Sequence, residues 1–160
     1  MKKVLLLLAF VLTVFVLSGC SKKSEIVEIS GEEMFNQEGN YYIFFYQDDC
    51  EDCEQIEPII EAYVKAVKEE KKYQHKSTVY KVNLSKDENK KILRSYTGGL
   101  GQGTNGDFFV DDVQDWKDLY IPTTSSLISI KTNSQNVTYA AFEAEGAQNI
   151  FNFLTAYLDS

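Results

Sequence analysis

Two of the three cysteines in this 160-residue sequence stand three positions apart, in Cys50-Glu51-Asp52-Cys53, and that spacing suits redox chemistry. On a helix such residues lie one turn apart. If the pair opens the helix, the free N–H groups of the first turn favour negative charge, and so favour the thiolate of the outer cysteine. The inner thiol then stands where it can attack a mixed disulfide formed on the outer one. A metal centre fits less well, because there is no second cysteine pair and the single histidine, His75, is distant and solvent-facing. A structural disulfide in a solvated acidic loop is the plainer alternative.

The elements that position this pair flank it. The unbroken apolar run Tyr41–Tyr46 reads as a strand buried on both faces. Beyond the cysteines, Ile56, Ile59, Ile60, Tyr63, Val64 and Val67 recur at helical spacing on one face, and the pattern fades in the charged run Lys68–Lys72. Glu25–Ile29 alternates polar and apolar as a short first strand, and Thr78–Leu84 reads as a third. Ser30-Gly31-Glu32-Glu33 fits a capping box opening a helix that ends near Gly39. Ser85-Lys86-Asp87-Glu88 fits a second, opening a helix to about Tyr96. Leu127–Ile130 and Val137–Phe142 read as a hairpin around Asn133-Ser134-Gln135-Asn136. Gln148–Leu158 reads as a last helix with Ile150, Phe151, Leu154 and Leu158 on one side. Strands separated by helices imply parallel pairing, and the hairpin adds an antiparallel edge. The fold class is α/β, with a central mixed sheet and flanking helices.

Asp48, Asp49, Glu51, Asp52 and Glu54 surround the cysteines. At a surface each carboxylate opposes a nearby thiolate by about 1 kcal/mol or less. Several together offset the ~0.5–1 kcal/mol by which a helix dipole favours it. A less stable thiolate means a relatively more stable disulfide, so reduction or isomerisation of disulfides is expected rather than strong oxidation. The formal charge of −8 argues against nucleic acid as a partner and favours cationic ones.

The N-terminus predicts where this chemistry takes place. Met1-Lys2-Lys3 is basic, and Val4–Leu17 is apolar but short of the ~20 residues a membrane span needs. With Leu17-Ser18-Gly19-Cys20 the segment resembles a bacterial lipoprotein signal peptide, residues 1–19, cleaved before a Cys20 that carries diacylglycerol. An uncleaved N-terminal anchor is the competing reading. With Cys20 as a thioether, only Cys50 and Cys53 remain to pair, in a disulfide-permissive compartment. Two acyl chains anchor a protein stably. Residues 20–24 are then the lipidated cysteine and a tether spanning on the order of 13 Å, and residues 25–160 a single domain. Loss of Lys2 and Lys3 takes the formal charge from −8 to −10. The expected location is the extracytoplasmic face of the cell membrane.

The order of elements, with the dithiol after the second strand, resembles the thioredoxin family over roughly Glu25 to Leu158. Cys50 and Cys53 match its active-site pair, and Pro58 matches the proline that kinks its active-site helix. Val79-Tyr80-Lys81-Val82-Asn83-Leu84 resembles its third strand, with Lys81 at the strand lysine. The resemblance implies that Cys50 attacks and Cys53 resolves. It also implies an X-Pro bond, usually cis, before the fourth strand and facing the dithiol. Ile121-Pro122-Thr123 supplies one register for it, with Pro122 as a site residue; in a second register Ser125 takes the proline's place. Either way this segment should lie beside Cys50 and offer backbone groups to an extended substrate. The chain departs from the family in three ways. Asp49 stands at a common tryptophan, Glu51-Asp52 replaces glycine-proline, and Phe44 stands where thioredoxins carry a buried carboxylate that relays a proton. Glu57, one turn beyond Cys53, is the candidate substitute for that carboxylate.

Residues 97–120 form an insert longer than the family's usual connection, glycine-rich and then aromatic. Its Gly101–Gly106 string spells GxGxxG but neither follows a strand nor opens a clear helix, so no dinucleotide site is expected. Phe108, Phe109 and Trp116 either pack against the domain or form a substrate-facing lid. The expected function is that of a membrane-anchored thiol–disulfide oxidoreductase with no bound cofactor. Its partners would be protein or peptide disulfides and an electron donor. Similar proteins include accessory factors for export or maturation of disulfide-containing bacteriocins. The alternative is a non-catalytic binding module that keeps the fold and a structural disulfide.

Overall fold

The structure, a computed structural model, describes residues 24–160. The expected signal peptide and Cys20 lie outside the described residues. Strands β1 (Val27–Glu28), β2 (Tyr41–Tyr46), β3 (Val79–Asn83), β4 (Ser126–Thr132) and β5 (Thr138–Glu145) form one mixed sheet in the order β1-β3-β2-β4-β5. β3 pairs parallel with both β1 and β2, while β4 runs antiparallel to β2 and β5. Helix α1 (Glu51–Glu69) joins β2 to β3, and helix α2 (Ala147–Asp159) follows β5.

β2 is central, so its side chains are covered on both sides. Tyr41, Ile43 and Phe45 enter one apolar core, and Tyr42 and Phe44 enter the other. That explains an apolar run where a half-exposed strand would alternate. The second core is roofed by both helices, through Ile56, Ile60, Tyr63 and Val64 of α1 and Ile150 and Leu154 of α2. Ile59 and Phe151, expected on the buried faces, instead stand 37% and 40% exposed. They turn to the edge of the seam between the helices and share a shallow cleft with Gln55 and Gln148.

The first core has no α-helical roof, and this overturns two expected helices. After Ser30 only a 3-10 turn forms, Gly31–Glu33. The capping carboxylate is in place, with Glu33 accepting the Ser30 N–H and hydroxyl. The side chains of Asn36 and Gln37 then bond the carbonyls of Glu32 and Glu33, which ends the turn. The second expected helix, Ser85 to about Tyr96, is a series of turns. Buried Asn89 pins it, donating to the Asn83 carbonyl and accepting the Gly31 N–H. Farther on, Arg94 donates to the Ile121 carbonyl and Ile121 to that of Ile92, so the chain runs as a strand-like bridge.

The insert completes this roof. Phe108 is fully buried and packs on Phe142 at 4.8 Å, and Trp116 rests partly buried against the same core. The GxGxxG string has a steric cause. The Gln102–Phe108 bridge closes the loop so tightly that a Cβ on Gly101 would lie 1.3 Å from the Gly106 carbonyl oxygen.

Candidate active site

Tyr46 ends β2, and Asp49 turns the chain at φ 58°, a left-handed conformation that aspartate tolerates better than most residues. The turn aims Cys50 at the start of α1, where it is the N-cap. Its sulfur accepts the N–H of Cys53 at 3.2 Å, so one of the helix's free amides is spent on that atom. Asp48 is held from β3: its carboxylate accepts from Asn83 and its N–H donates to Ser85. Cys50 and Cys53 are joined as a disulfide, with their Cα atoms 5.2 Å apart. Cys53 is 3% exposed, while Cys50 is partly open to solvent. An incoming group therefore meets Cys50 first.

A second donor reaches Cys50 from across the fold. Thr124 Oγ1 lies 3.2 Å from its sulfur, and because a disulfide sulfur has no proton, the hydroxyl donates. Sequence reasoning missed Thr124. It lies 74 residues from Cys50, and nothing local marks it.

The expected cis Ile121–Pro122 bond is not formed, since no peptide bond among the described residues is cis. Thr123 and Thr124 separate Pro122 from the end of the loop, and Thr124 makes the sulfur contact. Ser125 then precedes β4, with φ 58°, its N–H on the Phe45 carbonyl and its carbonyl on the Gly146 N–H. Ser125 is fully buried, and its hydroxyl has no protein partner.

Beneath the dithiol, Phe44 is fully buried in the same core as Cys53 and stacks on Tyr46. β2 therefore brings an aromatic ring rather than a carboxylate. Glu57 is paired with Lys81 of β3, whose ammonium also sits 5.1 Å over the Tyr46 ring. Burial raises the Tyr46 phenol well above its ordinary range, and the hydrogen bond to Glu28 adds to this, so the group stays a donor. Glu28 also takes Lys86. Burial pushes the Glu28 carboxyl up, but the bonds from Lys86 and Tyr46 outweigh it and leave it below the ordinary 4.5.

Asp48, Asp49, Glu51, Asp52 and Glu54 all stand around the helix start, and all five are exposed. Pro58 lies inside α1, one turn past Glu54, whose carbonyl it cannot serve as a donor. His75 is exposed, far from the dithiol in sequence. Among the described residues no group of three or more histidines, cysteines or acids is placed to hold a metal ion.

No protein-family model matches this chain, and no curated protein matches it.

Proposed function

We propose that the protein is a thiol–disulfide oxidoreductase of thioredoxin-like fold that reduces or isomerises protein disulfides. The carrying observation is the environment of Cys50: an accessible sulfur at a helix N-cap, one turn from a buried partner sulfur, with two hydrogen-bond donors on it. In the reduced protein the Cys50 thiolate attacks a substrate disulfide, forming a mixed disulfide and releasing the substrate's other thiolate. Cys53, after giving up its proton, attacks Cys50, and the substrate leaves as its second thiolate. The protein gains the Cys50–Cys53 disulfide, and a dithiol donor must reduce it again. Parallel β1, β3 and β2, with β4 antiparallel to both β2 and β5, and the pair directly after β2, support the thioredoxin-like reading.

Glu57 is the carboxylate closest along the helix to Cys53 that is not freely solvated, and it is ion-paired with Lys81 of β3. We assign it the deprotonation of Cys53, in place of the residue that Phe44 occupies.

Insulin reduction monitored by turbidity tests the activity. The expected result is precipitation faster than in the dithiothreitol blank and lost in Cys50→Ser. Turnover equal to that of a Cys50→Ser/Cys53→Ser variant would instead leave a binding module with a structural disulfide. The membrane anchor is a separate proposal resting on Leu17-Ser18-Gly19-Cys20. A mature N-terminal peptide without added lipid mass rules it out.

A further inference from the structure

We propose that a groove on the insert is a subsite for a cationic side chain, lysine or arginine, of the peptide whose disulfide Cys50 attacks. The inference rests on the thiol–disulfide reading and names a substrate class for that site. The groove has a volume of about 580 Å³. Its floor is aromatic: Tyr96 stacks on Phe109 at 4.6 Å and meets the edge of Tyr120 at 5.2 Å. Its rim carries Asp111, Asp112 and Asp118, all exposed. None of the ion pairs among the described residues includes any of the three.

This combination selects its occupant. An apolar side chain would desolvate carboxylates without pairing them, and an anion would be repelled. Ring faces offer a metal ion no ligand atoms, and these acids do not converge on a metal-ligating geometry. An ammonium or guanidinium satisfies both parts, with the rings below and the carboxylates beside it. The protein already uses one of these rings in this way. The guanidinium of Arg94 lies 3.9 Å over Tyr120, held by the carbonyls of Leu119 and Lys117. The net charge of −8 draws the same class of ligand from solution.

The groove is tied to the reacting sulfur by a short length of chain. Tyr120 is four residues before Thr124, which touches Cys50, so their Cα atoms are at most about 14 Å apart. An extended substrate covers that distance in about four or five residues. An extended substrate held at Cys50 therefore runs toward the groove along this length of chain.

The test uses a short peptide with serine for its cysteine and arginine four positions away, beside a citrulline version. Calorimetry at low salt should show about tenfold tighter binding of the arginine peptide, abolished by Asp112→Asn/Asp118→Asn. Asp111 is left intact because it holds the Phe142 N–H. Equal affinity for the two peptides, or a preference that survives the double substitution, overturns the subsite. A wild-type dimer that the double variant loses also overturns it, in favour of a second copy in the groove. Disulfide-bearing versions separate the two readings: arginine preference without turnover rejects the redox function alone, and turnover without preference rejects the subsite alone.

Discussion

Replacing Thr124 by valine removes one of the two donors on the Cys50 sulfur and keeps the side chain's shape. In the disulfide that sulfur is a neutral, weak acceptor, so the 3.2 Å contact stabilises the oxidised protein little. On reduction the same atom becomes a thiolate, and a hydrogen bond to a charged acceptor is worth ~1.5–3 kcal/mol. Thr124 and Cys50 are both partly solvent-exposed, so the low end applies. About 1.4 kcal/mol lost from the thiolate moves the Cys50 ionisation midpoint up by about one pH unit. It also lowers the reduction potential by on the order of 30 mV where the wild-type thiol is ionised. The Cys53 N–H remains, so the thiolate is weakened rather than abolished. The assays are the pH dependence of iodoacetamide labelling of the reduced protein and a glutathione redox titration. Thr124→Ser keeps the hydroxyl and should behave as wild type. A valine variant that folds normally but keeps the wild-type labelling midpoint would falsify the hydrogen-bond account.

Four further outcomes are expected. Glu51→Gln with Asp52→Asn removes two exposed carboxylates from the first turn of α1. The Cys50 thiolate should gain up to ~1.4 kcal/mol and the potential should rise by on the order of 30 mV; an unchanged or lower potential against glutathione rejects the electrostatic argument. Glu57→Gln leaves Lys81, 9% exposed, without its partner. Because Glu57 is partly exposed, urea denaturation should show a loss of about 1–2 kcal/mol, and Cys53 should resolve mixed disulfides more slowly. Ser125→Gly relieves a left-handed backbone and removes an unpartnered buried hydroxyl, so a gain of roughly 0.5–1 kcal/mol is expected; a lower melting temperature counts against it. The Glu28 carboxyl is held below its ordinary 4.5, with burial opposing and the bonds from Lys86 and Tyr46 prevailing. Its contribution is therefore full above that value and lost as pH falls through the lower folded-state value. The stability gap between wild type and Glu28→Gln should close on acidification, and a gap that persists in acid contradicts the pairing.

The central strand, the long helix, the hairpin and the last helix were legible because burial alone dictates their patterns. Tyr41–Tyr46 is apolar throughout because two cores need it, and the Ile56-to-Val67 spacing comes from one helix face meeting one sheet face. The two capping boxes misled for a common reason. Their local chemistry is sound, and the Glu33 carboxylate does sit where such a box puts it. The path of the chain after each box is decided by partners the local pattern cannot contain: Asn36 and Gln37 turning back, and Asn89 reaching from Asn83 to Gly31. At the site, the cysteine pair was legible because its chemistry is written in three consecutive steps along the chain. Pro122 drew attention by residue type, whereas the contact falls to Thr124, a residue type with no signature of its own.

One face of the sheet is roofed by two helices, the other by turns, bridges and the glycine-rich insert. A roof of the second kind has few repeating hydrogen bonds and opens in smaller pieces than a helix does. Its last length of chain, from Tyr120 through Thr124, ends on the Cys50 sulfur. On the proposed redox reading, each opening that frees this length takes a donor from the Cys50 thiolate, so the acidity of Cys50 is coupled to the local melting of that wall. Warming should then lower Cys50 reactivity relative to a free thiol before the central strand loses any protection. Amide exchange at 97–124, faster than at β2 and rising in step with that loss, is the signature. Such a domain would carry its thermometer in the part of the fold with the least regular structure.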